Sequence, residues 1–180
     1  MPFIGHAPVP EPFPIPVTEA APNRQDVLAW LRLTLVPGVS PRLQQELLRA
    51  FGSPQAVLAA PQADLASLAA PAAVQALARG PSKALVERTL AWLQAHDHHL
   101  LALGDPAYPK ALLTIPDPPT VIYARGRIEL LNARALAIVG SRNASAQGER
   151  DANAFATALS CSGLCIVSGM ALGIDAAAHR

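Results

Sequence analysis

The fold is decided by residues 135–175, which read ALAIVGSRNASAQGERDANAFATALSCSGLCIVSGMALGID. Two short apolar runs, Ala135–Val139 and Leu164–Ser168, predict buried strands. The stretch Ser145–Ser162 between them predicts a helix, and Gly173 opens another helix after the second strand. A strand, a helix and a strand in this order predict a right-handed βαβ unit with parallel strands. The chain is therefore predicted to be an α/β protein that contains the beginning of a Rossmann-like doubly wound parallel sheet.

The sequence upstream predicts a helical module followed by short strands. Helical periodicity starts at Asn23, which is placed to cap a first helix ending near Val36, and a second helix ends before Gly52. Further helices are predicted from Ser53, at Ala63–Leu68, at Ala72–Arg79 and at Ser82–His96, with β-rich runs at Leu100–Leu103 and Thr120–Tyr123. We therefore predict a disordered proline-rich tail at residues 1–22, a small all-helical domain at 23–96 and an incomplete Rossmann-like domain at 97–180.

Composition and charge exclude several classes of protein. The 14 Lys and Arg residues nearly balance the 13 Asp and Glu residues, so net charge does not indicate a nucleic-acid partner. Five prolines interrupt residues 8–16, which excludes a secretory signal, and no apolar run is long enough for a membrane helix. We predict a cytoplasmic protein with no membrane partner. The polar cluster at 96–99 (His-Asp-His-His) has no second ligand group at zinc spacing and predicts a polar helix end, so no metal site is predicted.

Two glycine-containing turns follow the predicted strands and carry the candidate site. Because the carboxyl ends of neighbouring parallel strands meet at one edge of a sheet, the two turns are expected to merge into one anion site. Glycine permits close approach of the backbone, serine supplies hydroxyl donors, and the guanidinium of arginine can contact a phosphate with two parallel hydrogen bonds. The predicted phosphate-binding residues are Gly140, Ser141, Arg142, Ser168, Gly169 and Gly173. Ordinary turn formation is the alternative interpretation of the three glycines.

Three motifs of the sequence resemble sites other than a phosphate site. Residues 140–148 do not read G-x-G-x-x-G, and the second strand does not end in the acidic residue that would bind a ribose, so no nicotinamide or flavin cofactor is predicted. Asp175 and His179 are spaced to face each other as acid and base, although capping and local pairing are favoured. The turn at residues 37–41 (Pro-Gly-Val-Ser-Pro) is similar to a helix-hairpin-helix, but Ser40 replaces the usual second glycine, which favours structural packing.

The chain resembles the DprA/Smf family of DNA-processing proteins. The resemblance lies in AIVGSR at 137–142, SGMALGID at 168–175 and Ala178-His179, with Tyr108-Pro109 and DPP at 117–119 upstream. It implies a sterile-alpha-motif-like (SAM-like) helical domain before an extended Rossmann domain, with no catalysis and no cofactor. It further implies binding of single-stranded DNA, protection of incoming DNA and loading of the RecA recombinase during natural transformation (competence) and homologous recombination. The six residues of the two turns would form the DNA pocket.

Two parallel strands and two helices do not bury a Rossmann sheet, so we expect a fragment or a truncated gene product. The resemblance implies a homodimer formed through the missing C-terminal part. The main alternative function is a Rossmann-fold nucleotide-binding enzyme similar to phosphoribohydrolases. Such an enzyme needs a catalytic Glu in a glycine-rich loop, whereas residues 134–180 contain only Glu149, on a predicted helix. A structure-specific DNA-repair adaptor acting through the helical hairpin is a third hypothesis.

Overall fold

A computed structural model describes residues 23–180, so the predicted tail at residues 1–22 lies outside the described part of the chain. The chain separates into two compact units, of which the first ends at Ile128 and the second covers Glu129–Arg180. Within the described residues, the first unit contains six α-helices and an antiparallel pair of strands. The second contains a parallel pair of strands and two α-helices. This architecture confirms the predicted α/β class with a helical N-terminal part.

The helices of the first unit begin and end at local capping signals. They are α1 (Arg24–Thr34), α2 (Pro41–Phe51), α3 (Pro54–Ala59), α4 (Gln62–Ala66), α5 (Pro71–Arg79) and α6 (Lys83–Trp92). The side chain of Asn23 accepts the first free N–H groups of α1, and Ser40 and Ser53 cap α2 and α3 in the same way. Gly52 ends α2 in the left-handed conformation, at φ +83°. The predicted starts and stops of α1 to α5 are confirmed to within two residues, whereas α6, predicted to reach His96, ends four residues earlier at Trp92.

The predicted polar helix end at residues 96–99 is wrong, because α6 ends at Trp92 and a strand begins at His98. That strand, β1 (His98–Ala102), pairs antiparallel with β2 (Val121–Arg125). His98 Nδ1 lies 2.6 Å from the Trp92 carbonyl oxygen, and the two rings stack with 3.9 Å between their centroids. These contacts turn the chain back after Trp92 and favour the strand over another helical turn. Among residues 23–180, no group of three or more potential metal ligands lies together.

The core of the first unit joins the helices to the strand pair. Leu31, Leu33 and Leu47 are fully buried, and Leu100 of β1 belongs to the same cluster. Two buried glutamines of α2 extend the connection. Gln44 accepts the Thr120 hydroxyl and Gln45 donates to the Pro118 carbonyl. Residues 97–128 therefore pack with the helices, and this compact unit ends 32 residues after the predicted domain boundary at 96. The division into domains at residues 23–96 and 97–180 stays a prediction.

The second unit contains the predicted βαβ arrangement. Strand β3 (Ala135–Ala137) lies parallel to β4 (Cys165–Val167), and α7 (Ala146–Cys161) connects them and packs against β4. A short helix, α8 (Ile174–Ala177), follows and packs against α7. Both strands are shorter than predicted, and β3 is exposed rather than buried. The expectation of burial was wrong because it assumed a sheet that helices cover on both faces. In this unit α7 packs against β4, and β3 stays exposed.

Tyr108 provides a test of the packing in the first unit. Its side chain is 2% exposed and its hydroxyl donates to the Pro119 carbonyl at 2.6 Å. Burial raises the pKa of Tyr108 from 10.0 to about 12. Between those pH values the unfolded chain binds fewer protons than the folded chain, so the free energy of unfolding is expected to fall as pH rises through this window.

In an alkaline titration of the folded protein, tyrosinate absorbance should rise late, and Tyr108→Phe should remove the latest part of that rise. A tyrosinate signal half complete near the ordinary pKa of 10.0, with circular dichroism unchanged, would contradict this burial.

Candidate nucleic-acid interface

Two turns leave the same edge of the parallel sheet. The first turn (residues 140–145) follows β3 and the second turn (residues 168–173) follows β4. The strands pair in register, with Ala137 opposite Val167, and the Ile138 N–H extends the pairing to the Val167 carbonyl at 2.9 Å. All six predicted site residues lie in these turns, and the structure brings the turns into contact.

Gly173 is the point at which the backbones of the two turns meet. Its φ is +77°, in the left-handed region that glycine adopts without strain. A Cβ atom at this position would lie 2.1 Å from the Ser141 carbonyl oxygen and 2.7 Å from the Arg142 carbonyl oxygen. The next N–H group, that of Ile174, donates to the Ser141 carbonyl at 3.2 Å. Gly173 is therefore needed for the approach of one turn to the other, whatever binds there.

Gly140 is also explained by close packing. A Cβ atom there would lie 2.7 Å from Ile174 Cγ1, so any larger residue would push the first turn away from α8. At Gly169 a Cβ would lie 3.2 Å from a carboxylate oxygen of Asp175, a tight contact that requires a small shift. Both interpretations of the glycines are thus compatible, because close packing of the turns is what creates the predicted site.

Asp175 is a central residue of this arrangement that sequence reasoning did not include in the site. Its side chain is buried at 4% exposure. One carboxylate oxygen accepts the Gly140 N–H at 3.3 Å, and the other accepts the Ala171 N–H at 3.4 Å. The two donors belong to different turns. Capping and local pairing were the favoured interpretation of Asp175, but its side chain does not cap α8, and one of its two partners, Gly140, lies 35 residues away. The available signal was an acid two residues after the glycine that opens a helix.

The two serine hydroxyls hold the shape of their own turns. Ser141 Oγ accepts the Asn143 N–H at 3.1 Å, and Ser168 Oγ accepts the Met170 N–H at 3.0 Å. Ser168 Oγ also lies 2.9 Å from His179 Nε2, so His179 contacts a serine of the second turn. A hydroxyl that accepts one bond still has a proton to donate, and the Ser141 hydroxyl remains able to donate to an anion.

Arg142 is the cationic side chain of the two turns. It is exposed, and within residues 23–180 its guanidinium has no hydrogen-bond or ion-pair partner. Two other arginines of the second unit are engaged: Arg180 pairs with Glu149 at 3.3 Å, and Arg150 donates to the Gln147 side chain. The backbone N–H groups of Ser141 and Gly169 likewise have no acceptor in the described part of the chain. A guanidinium and backbone amides without acceptors are the kinds of group that bind phosphate oxygens.

A cavity of about 300 Å³ lies elsewhere in the second unit, on the side of α7 and α8. Its lining consists of Ala146, Glu149, Arg150, Asn153, Ala177 and Arg180. None of the six predicted residues contributes to it.

No helix among residues 23–180 has the length and apolar character needed to cross a membrane.

The second half of the chain is similar to known proteins. Residues 99–180 match the family described as DNA recombination-mediator protein A. The chain is 39% identical over 95 residues to Protein Smf of Escherichia coli K12, covering 53% of this chain and 25% of that protein. It is 37% identical over 93 residues to the DNA processing protein DprA of Bacillus subtilis, covering 51% of this chain and 31% of that protein. The chain thus spans about a quarter to a third of the length of these relatives.

A solved structure extends the likeness to the helical part. The X-ray structure of DNA processing protein A (DprA) from Streptococcus pneumoniae superposes with a TM-score of 0.65 at 25% sequence identity. The alignment covers 85% of this chain and 52% of that one. It therefore includes residues of the first unit. These findings confirm the resemblance to the DprA/Smf family seen in the sequence, which the match of residues 99–180 carries.

Proposed function

We propose that this chain takes part in DNA processing for transformation and recombination, and that the two joined turns bind the phosphates of single-stranded DNA. The likeness to the DprA/Smf family supports the DNA-processing role, since the Bacillus subtilis relative is named a DNA processing protein. The observation that carries the site is Arg142 of the first turn, whose exposed side chain has no partner among residues 23–180 and whose backbone carbonyl lies close to Gly173 of the second turn. The preference for single strands follows from the family resemblance.

The chemistry of the turns suits a partner that is recognised by its backbone. Amide, hydroxyl and guanidinium donors contact phosphate oxygens, which are the same in every nucleotide, so such contacts position the strand and carry no base information. The proposed binding is therefore independent of base sequence. The role proposed for the whole protein includes protection of incoming DNA, loading of the RecA recombinase and dimerisation, without catalysis and in the cytoplasm.

Binding to labelled oligonucleotides tests the proposal directly. The 180-residue chain should raise the fluorescence anisotropy of single-stranded oligonucleotides of several sequences to the same extent. It should bind a duplex of equal length less tightly, and its affinity should fall as salt rises, because phosphate contacts release counterions. Equal or tighter binding to duplex or junction DNA would favour the structure-specific adaptor.

Two further measurements separate the proposal from its alternatives. Incubation with nucleoside monophosphates should release no free base, and base release would establish the phosphoribohydrolase-like enzyme. Pull-down of purified RecA by the full-length protein, in the presence of single-stranded DNA, tests the recombinase partner. Light scattering of the same full-length protein tests the dimer, and a monomeric mass at the concentrations used for DNA binding would exclude it.

A further inference from the structure

Asp175 lies where an anion would be expected to bind. Its carboxylate already accepts one amide from each of the two turns, Gly140 N–H from the first and Ala171 N–H from the second. These amides are therefore occupied by the protein's own carboxylate, and an incoming phosphate has to use the donors beyond them, on Ser141, Arg142 and Gly169. The side chain is only 4% exposed, so the carboxylate belongs to the interior of the site rather than to its surface.

The bonds of Asp175 connect the backbones of the two turns. Directly before it, the Ile174 N–H donates to the Ser141 carbonyl of the first turn. Residues 174 and 175 thus hold the first turn at two neighbouring groups, the Ser141 carbonyl and the Gly140 N–H. Hydrogen bonds to an ionised acceptor are stronger than those between neutral groups. Loss of the carboxylate should free the first turn, including Arg142, to move relative to the second.

We propose that Asp175 is a positioning residue of the DNA site: its buried carboxylate fixes the first turn against the second and so places the Arg142 guanidinium beside the donors of the second turn. This inference rests on the proposed function. Loss of the Asp175 charge has two opposite expected effects on DNA affinity. Removing a negative charge close to a polyanion should strengthen binding by electrostatics alone. Removing a positioning group should weaken it.

The test compares Asp175→Asn with Asp151→Asn in the 180-residue chain. Both substitutions remove one carboxylate charge from the second unit, but Asp151 is exposed on α7, where it accepts only the Gln147 side chain. We expect Asp175→Asn to weaken single-stranded DNA binding about fivefold or more, as for members of one hydrogen-bonded network. Asp151→Asn should leave affinity unchanged or slightly tighter. Equal or tighter binding by folded Asp175→Asn would overturn the proposal.

A double-mutant cycle distinguishes positioning from a general loss of structure. If Asp175 acts through the guanidinium, Asp175→Asn should change affinity less than about twofold in an Arg142→Ala background, and its salt slope should approach that of Arg142→Ala. Losses that multiply fully would show that Asp175 does not act through Arg142. Failure of the wild-type chain to bind single-stranded DNA would remove the proposed function, and with it this role for Asp175.

The connection itself has a readout that needs no DNA. Hydrogen exchange of the Gly140 and Ala171 amides should accelerate in Asp175→Asn while exchange within α7 is retained. If circular dichroism shows that this variant does not fold, Asp175→Glu replaces it, because the longer side chain keeps the charge and displaces the carboxylate. Wild-type affinity in a folded Asp175→Glu variant would overturn the proposal.

Discussion

Replacing Gly173 with alanine is expected to destabilise the second unit by about 3 kcal/mol or more, the sum of backbone strain and overpacking. The new Cβ would lie 2.1 Å from the Ser141 carbonyl oxygen, and that oxygen is backbone that cannot rotate away. The residue would also keep a φ of +77°, which a side chain tolerates poorly. Relief of the clash requires the two turns to separate, which breaks the bond from the Ile174 N–H to Ser141.

Gly163→Ala is the matched control for this prediction. Gly163 also has a positive φ, +84°, but a Cβ there would meet no atom within 4 Å. Its expected cost is therefore the conformational term alone, about 1 kcal/mol. Urea unfolding followed by far-ultraviolet circular dichroism measures both. The chain's two tryptophans, Trp30 and Trp92, lie in the first unit, so fluorescence follows that unit separately. Equal unfolding midpoints for the two variants would show that the turns do not approach as closely as described.

The helices were predictable because their ends depend on neighbouring residues. Asn23 accepts N–H groups only two and three residues ahead, and Gly52 ends α2 by its own φ. The position of the two turns was predictable for a similar reason, because parallel pairing of β3 and β4 brings both turns to one edge of the sheet. Local chemistry and one rule of sheet geometry were sufficient for these features.

Features that depend on distant contacts were not predicted. The end of α6 is set by the stacking of Trp92 on His98, and helical periodicity up to His96 contains no sign of that contact. The bridge from Asp175 to Gly140 joins residues 35 positions apart, so the sequence showed the acid but not its partner. The exposure of β3 depends on how many elements cover the sheet, which an apolar run such as Ala135–Val139 does not encode.

Arg142→Ala is expected to weaken binding of single-stranded DNA by about 1.5 to 3 kcal/mol, the range for a hydrogen bond to a charged group. The side chain is exposed and has no partner among residues 23–180, so its removal breaks no contact of the fold and the circular dichroism spectrum should not change. The loss should be the same for every base sequence, since a phosphate contact does not read bases. The slope of log affinity against log salt should decrease by about 0.7, the value for one lost phosphate neutralisation on a single strand.

Two companion variants separate the position of this charge from its presence. Arg150→Ala removes an equal charge from α7, where the guanidinium donates to Gln147, and should leave the affinity within about twofold of wild type because the median effect of an exposed charge is small. Arg142→Lys should restore only part of the affinity, because an ammonium group cannot form the two parallel hydrogen bonds of a guanidinium. The measurement is anisotropy titration of labelled oligonucleotides at several salt concentrations. Equal losses for Arg142→Ala and Arg150→Ala would mean that the turns contribute only net charge, whereas a loss confined to Arg142 places the phosphate at the junction of the two turns.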